Sequence, residues 1–394
     1  MRRGVWVMAL AHLVNDTYAW MLPALLPLLL IKLELSLGSA GLLVTLYQAS
    51  SSFTQPLLGH LADRGTQTRW MAWTGVAISG LAAGSLGLAP SFAAVALVLL
   101  AGGLGTALFH PVSASLVSAA LPSATRGRWM SVYISAGNFG LPIGTFTLGL
   151  VVAAAGLGAT WILAIPALIM AVLVWRFGPT QVARQSGPAL GLREIVQANR
   201  RMLGRLVAVA ATRAWASAIV ASFLPIYAVA RGASVIDASR LLTLFLLAGA
   251  VGGLIGGTLA DRVGRDRVIV TSLLVSSPFC AVLGAQTAVG PLFIVATAVC
   301  GLLLNGSFVV LAVRGQESLP GSLGMVSGLM LGLSIGLGGL AVAPMAVLAE
   351  RVGIPVALDV AGALAVACAL IMRTVPKPPA QQGPRPAVSA EAAD

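Results

Sequence analysis

Gly59-His60-Leu61-Ala62-Asp63-Arg64-Gly65 and Gly257-Thr258-Leu259-Ala260-Asp261-Arg262-Val263-Gly264-Arg265 are two versions of one phrase. Their aspartates stand 198 residues apart in a chain of 394. A single G-x-x-x-D-R would carry little weight. Two, each following an apolar run at the same place in its half, mark an internal repeat.

The runs around these phrases decide the solvent. The chain is 58% hydrophobic and 9% charged, against roughly 25% charged residues in soluble domains. Too few polar side chains are present to cover a water-facing surface, so a soluble protein is excluded. In hydrocarbon every backbone polar group must be satisfied internally, and long unbroken apolar runs select helices over a barrel. At about 20 residues per crossing, spans fall near 4–31, 39–61, 71–89, 91–120, 129–155 and 160–177. Six more follow near 205–230, 238–260, 268–287, 290–316, 321–348 and 354–373. The expected fold is an all-α membrane protein of 12 transmembrane helices, with bundles at 1–177 and 205–374. A polar linker, 178–204, joins them, and the Pro-, Ala- and Gln-rich tail 375–394 is expected to be disordered.

The net charge of +12 is spread along the chain without an aromatic-interleaved patch, so nucleic acid is not an expected partner. With the N-terminus inside, 19 of the 24 Lys and Arg fall on that side and only Lys32, Arg231, Arg240 and Arg351 on the other. This asymmetry predicts cytoplasmic termini in a multi-pass protein of the cell inner membrane. Arg213 is left inside a span. Cys280, Cys300 and Cys368 lie in apolar runs without metal-ligand spacing, which predicts lipid or core packing. The start superficially resembles a signal peptide, but its apolar segment is very short, so the first helix is expected to be retained.

The duplicated loop phrase in two six-helix halves resembles the major facilitator superfamily of transporters over the whole chain. The resemblance implies two bundles rocking about a central cavity lined by helices 1, 4, 7 and 10. The run Gly65-Thr66-Gln67-Thr68-Arg69 departs from the family's usual glycine and basic pair. Shorter strings narrow the likeness: His12-Leu13-Val14-Asn15-Asp16, Ser50 to Pro56, Phe109-His110-Pro111, Gly137-Asn138-Phe139-Gly140, Gln316 to Pro320, and Ser327-Gly328. Together they resemble the fosmidomycin-resistance group of drug efflux transporters. That group tends to place a Gly-Pro pair where Pro142 here precedes Gly144, and the loop at Arg126 and Arg128 is less basic than the group's pattern. The resemblance implies a monomer without a cofactor, working on small molecules and protons in the bilayer.

An ionisable group inside a span costs at least about 2.5–3.5 kcal/mol, so each is a functional candidate. His12 and Asp16 are four apart with Asn15 between, on one helix face. They sit about 12–18 Å from the helix start at 1.5 Å per residue. Asp16, His12 and His110 are the candidate proton-coupling groups. The alternatives are an Asp16–Arg213 ion pair that only ties the halves, and histidines that only pack. Asn15, Gln48, Gln55, Arg213, Asn138 and Asn305 are candidate substrate contacts, Asn305 alternatively an interhelical hydrogen bond.

Asp63 and Asp261, with Arg64, Arg262 and Arg265, are candidate gate residues. An aspartate ending helix 2 or 8 can accept from the free N–H groups that begin a helix of the other half, near Gly321 or Trp129. The alternative is ordinary turn and topogenic chemistry. Arg314 and Glu317, three apart, read as a further gate or a local pair. Glycines in helices 5 and 11 suit a moving contact between bundles or static packing. No phosphate loop, zinc pattern or nucleophile constellation appears, so this is not an enzyme or a primary pump. The expected function is proton-coupled efflux of small amphipathic or anionic drugs by antiport. The competing readings are a sugar or metabolite uniporter or importer, and a receptor on the same scaffold.

Overall fold

The computed structural model describes residues 2–64, 68–180, 197, 199–318, 330 and 334–376. Within them the chain is helical and no strand occurs. The first half comprises α1 (Arg2–Thr17), α2 (Met21–Lys32), α3 (Leu37–Arg64), α4 (Arg69–Ser85), α5 (Phe92–Ala119), α6 (Ser123–Ala155), a 3-10 turn (Leu157–Leu163) and α7 (Ala164–Phe177). The second half comprises α8 (Arg200–Ala230), α9 (Val235–Val263), α10 (Arg265–Ala285), α11 (Pro291–Cys300), a π-helical turn (Gly301–Asn305), α12 (Gly306–Ser318), α13 (Ser334–Leu340), α14 (Val342–Val352) and α15 (Ile354–Arg373). Nine stretches of the described residues are long and apolar enough to cross a membrane. The linker residues 181–196, the loop 65–67, the segment 319–329 with Ser327 and Gly328, and the tail from Lys377 lie outside the described residues.

Local chemistry sets the element ends. Ser91 and Ser234 cap α5 and α9, their side chains accepting from the backbone N–H of Ala94 and Asp237. Pro291 opens α11, where its missing N–H costs nothing. Gly264 and Gly353 turn the chain with φ of 96° and 94°, a region that side chains avoid.

Two spans expected as single helices are interrupted. The first breaks at Tyr18–Trp20, where Ala19 N–H reaches only Asp16 O and Met21 N–H only Tyr18 O. Pro23 has no N–H to continue the ladder across this point. The tenth contains the π turn at Gly301–Asn305, in which one extra residue per turn leaves a carbonyl outside the α ladder.

The halves meet toward the face opposite the termini, here the distal face. Thr45 Oγ1 donates to Gly339 O at 2.9 Å and accepts from Ala343 N–H at 3.3 Å. The Thr145 and Thr243 hydroxyls are 2.8 Å apart. The backbone N–H of Gly38 also reaches Glu350 across the halves on this side, at 3.2 Å.

The glycine expectation divides accordingly. Gly149 on α6 abuts Ser239 on α9, and Gly336 and Gly339 abut Ser52 and Gln48 on α3, all contacts between halves. Gly137, Gly140 and Gly144 instead press on α1 within their own half, where a Cβ would strike Asp16 and the carbonyls of Leu13 and Thr17. A three- and four-residue spacing of small side chains specifies close helix approach but not which helix approaches. Gly328 and Gly332 lie outside the described residues.

Candidate functional site

α1 and α5 bring His12, Asp16 and His110 together. His12 Nε2 lies 3.2 Å from one oxygen of Asp16, and His110 Nε2 lies 2.8 Å from the other. The i,i+4 spacing on α1 supplies the first contact and the crossing of α5 supplies the second. Asn15 completes the group, its Nδ2 donating to Asp16 Oδ1 at 3.1 Å.

The hydrogen bonds carry proton bookkeeping. His12 Nδ1 faces the carbonyl of Tyr133 at 2.9 Å, and a carbonyl only accepts, so Nδ1 carries a hydrogen. Nε2 of His12 and Nε2 of His110 each meet a carboxylate oxygen, and each contact needs one proton between its two heavy atoms. A carboxylate bridged by two imidazoles thus holds its hydrogen-bonding protons in fixed geometry. Tyr133 stacks on His12 with ring centroids 4.2 Å apart, and its hydroxyl meets Ser113 at 2.5 Å. The His12 ring is thereby held. His110 is 28% exposed, so the cluster is not sealed from its surroundings.

The three donor groups lie within 4.8 Å of one another, the dimensions of a cation site. Each imidazole nitrogen that faces Asp16 is already engaged with it in a direct hydrogen bond. The arrangement is a hydrogen-bonded triad, and no other group of three such residues occurs among those described.

The remaining candidates are dispersed. Asn305 sits in the π turn and its Oδ1 accepts from Ser217 at 2.5 Å, an interhelical bond of the kind offered as its alternative role. Gln48 is buried against Gly339, while Gln55 and Asn138 are half-buried. Arg213 does not meet Asp16. Its Nη1 donates to Leu304 O at 3.3 Å, and its guanidinium stacks over Phe308 at 4.7 Å. The Asp16–Arg213 pair is therefore absent in this conformation, because the histidines occupy the carboxylate and Arg213 turns into the second half.

At the terminal face, Asp261 is 69% exposed and pairs at 3.1 Å with Arg265, four residues on. Arg265 also reaches Glu317 at 2.7 Å, and Arg262 is exposed. Arg314 and Glu317 do not pair with each other. Arg314 is 1% exposed and donates to Asp266 at 2.6 Å, to Ser318, and to Pro376 O at 2.7 Å. The two side chains diverge because each finds a stronger partner at the start of α10. The side chains of Asp63 and Arg64 lie outside the described residues.

Several contributors left little trace in the sequence. Tyr133, Thr45, Ser217 and the Thr145–Thr243 pair are ordinary helix residues until neighbouring helices are placed. Cys280 and Cys300 pack with sulfurs 3.7 Å apart, and Cys368 donates to Val209 O at 3.1 Å, so all three are core residues as expected.

Known proteins share this layout. A profile of the Major Facilitator Superfamily matches residues 8–239 and again 206–393. The Fosmidomycin resistance protein of Escherichia coli (strain K12) is 31% identical over 357 residues, covering 88% of this chain and 86% of that protein. An uncharacterized MFS-type transporter, YfnC, of Bacillus subtilis (strain 168) is 30% identical over 363 residues, covering 88% and 87%. Among solved structures, a bacterial homolog of the human lysosomal transporter Spinster superposes with a TM-score of 0.79 at 16% identity, covering 94% of this chain and 96% of that one. The D-xylose-proton symporter does so with 0.74 at 16% identity, covering 95% and 97%. These two likenesses speak for the fold alone. The duplicated loop, the two helical halves and the relatives agree: this chain belongs to the Major Facilitator Superfamily, a family of membrane transporters and not of enzymes.

Proposed function

We propose that this chain is a proton-coupled exporter of small-molecule drugs or metabolites, working as an antiporter by alternating access. The reading takes it as twelve spans in two six-helix bundles, 1–177 and 205–374, with both termini cytoplasmic in a cell inner membrane. It acts as a monomer and needs no cofactor. Outward movement of a drug is supported by the name of the Escherichia coli relative, a resistance protein.

The observation that carries the reading is Asp16 bridged by His12 and His110. An antiporter needs a group that is charged in one state and neutral in another. Asp16 is the acidic residue well inside a span, and the partial exposure of its partner His110 leaves the triad open to proton exchange. Asn15, Gln48, Gln55, Arg213, Asn138 and Asn305 are assigned to solute, and Asp63, Arg64, Asp261, Arg262 and Arg265 to the terminal gate. Arg314 and Glu317 brace that gate from within the second half.

The test is Asp16→Asn in proteoliposomes. The variant mimics the protonated form permanently, so it should bind solute and exchange it, yet fail to accumulate it when a pH difference is imposed. Uphill, pH-driven transport by Asp16→Asn would place the proton elsewhere.

A further inference from the structure

His12 Nε2 stands 3.2 Å from Asp16 Oδ2 and His110 Nε2 stands 2.8 Å from Oδ1, and the three donor groups lie within 4.8 Å of one another. Two imidazole nitrogens and a carboxylate converging on this scale are a ligand set for a divalent transition ion, whose bonds to nitrogen and oxygen run about 2.0–2.2 Å. His110 is 94 positions from Asp16 in the chain, so no ligand spacing in the sequence betrays the set.

Three further features go beyond an ordinary hydrogen-bonded triad. First, His12 Nδ1 meets the Tyr133 carbonyl at 2.9 Å. A metal-ligating histidine almost always gives its other N–H to such an acceptor, which fixes the ring and leaves Nε2 as the nitrogen that coordinates. Second, Asn15 is 1% exposed, and its Oδ1 is buried with no partner among the described residues. Its Nδ2 lies 3.1 Å from Asp16 Oδ1 and 3.5 Å from His110 Nε2. A half-turn about the terminal torsion, which has two broad wells, exchanges the amide ends and gives the cluster an oxygen as fourth ligand. Third, α6 leaves a hollow here. A Cβ on Gly137 would stand 2.5 Å from His12 Nε2 and 2.7 Å from Asp16 Oδ2. The missing methyl keeps open a position close to coordinating distance from both atoms.

We propose that His12, Asp16 and His110, with Asn15 Oδ1 as fourth ligand, form a binding site for a divalent transition-metal ion of the Zn²⁺ class. The entering ion displaces the protons that join the two imidazoles to Asp16, and its charge takes the place of theirs. Bound, it ties α1 to α5 and occupies the carboxylate, so it inhibits transport. That inhibition rests on the proton-coupling reading above, whereas the metal site itself does not.

The full-length protein in detergent, stripped of metal with a chelator, is titrated calorimetrically with Zn²⁺, and with Mg²⁺ as a hard cation that prefers oxygen ligands. The wild type should bind one Zn²⁺ per chain and no Mg²⁺. His12→Ala and His110→Ala should each lose more than the roughly 10–100-fold that an outer-shell partner costs, and Asn15→Ala about tenfold. Gly137→Ala, which keeps every ligand and fills the hollow, should lose as much as the histidine variants. His60→Ala, and a variant with serine at Cys280, Cys300 and Cys368, should bind as the wild type does. Should a histidine variant not fold, Gly137→Ala and Asn15→Ala carry the test. A wild type that takes up no stoichiometric Zn²⁺, or ligand variants that bind it undiminished, would overturn the proposal. So would loss of binding in the cysteine variant, which would put the ion at Cys280 and Cys300. No gradient is present in this measurement. Uphill transport by Asp16→Asn would sink the proton reading and leave Zn²⁺ binding standing, whereas a pH-driven wild type that ignores Zn²⁺ would sink the metal site alone.

Discussion

Glu350 Oε2, at the end of α14, accepts a hydrogen bond at 3.2 Å from the backbone N–H of Gly38, in the first turn of α3. Ser36 covers the neighbouring N–H of Ser39 from within the same half. A carboxylate of one half thus satisfies a helix N-terminus of the other, where the helix dipole favours negative charge. This is the chemistry expected of Asp63 and Asp261, realised on the opposite face by a residue outside the duplicated phrase. Gly38 suits the contact, since a Cβ there would stand 3.1 Å from the carboxylate oxygen.

The first prediction is that Glu350 holds the distal face shut. In Glu350→Ala, a cysteine introduced at Ala343 should react several-fold faster with an impermeant maleimide added from the distal side. An exposed charged contact is worth about 1 kcal/mol or less, which corresponds to roughly fivefold in the opening equilibrium. Unchanged labelling would remove Glu350 from the gate.

Asp261 should act in the opposite state. Here it is exposed and engages Arg265, four residues on. If it latches α6 when the distal side opens, Asp261→Ala should increase terminal-side labelling of a cysteine at Ser135 while solute binding persists. Equal labelling would leave the aspartate as turn chemistry. The companion experiment, Asp63→Ala with a cysteine at Ser327, concerns side chains outside the described residues.

Gly137 is where α6 makes room for the triad. An added Cβ would come within 2.5 Å of His12 Nε2 and 2.7 Å of Asp16 Oδ2. Overpacking of this kind costs about 1–3 kcal/mol, so Gly137→Ala should lower proton-driven transport about tenfold or more. Gly204→Ala is the control, because nothing lies within 4 Å of a Cβ there. Wild-type transport in Gly137→Ala would show that the triad tolerates displacement.

Arg314 should prove structural. It is wholly buried and ties α12 to Asp266 on α10 and to Pro376 beyond α15. Removing one partner of a buried pair costs about 3–5 kcal/mol, less here because Asp266 reaches solvent. Arg314→Ala should melt several degrees below the wild type, whereas Arg265→Ala, which breaks more exposed contacts, should not. Comparable melting of the two would contradict this ranking.

The bilayer as solvent, the helical class, the internal repeat and the His12–Asn15–Asp16 face follow from composition and spacing alone. They are local or averaged properties: apolar length, an i,i+4 interval and a phrase repeated 198 residues apart each act without knowledge of the neighbours. Tertiary structure decided the partners. It gave Asp16 to His110 instead of Arg213, set Gly137 against α1 rather than the other half, parted Arg314 from Glu317, and joined Glu350 to Gly38 across 312 positions of chain. Each outcome depends on which helix faces cross and at what depth, and hydrophobic periodicity, which every apolar helix here satisfies on most sides, does not encode that choice.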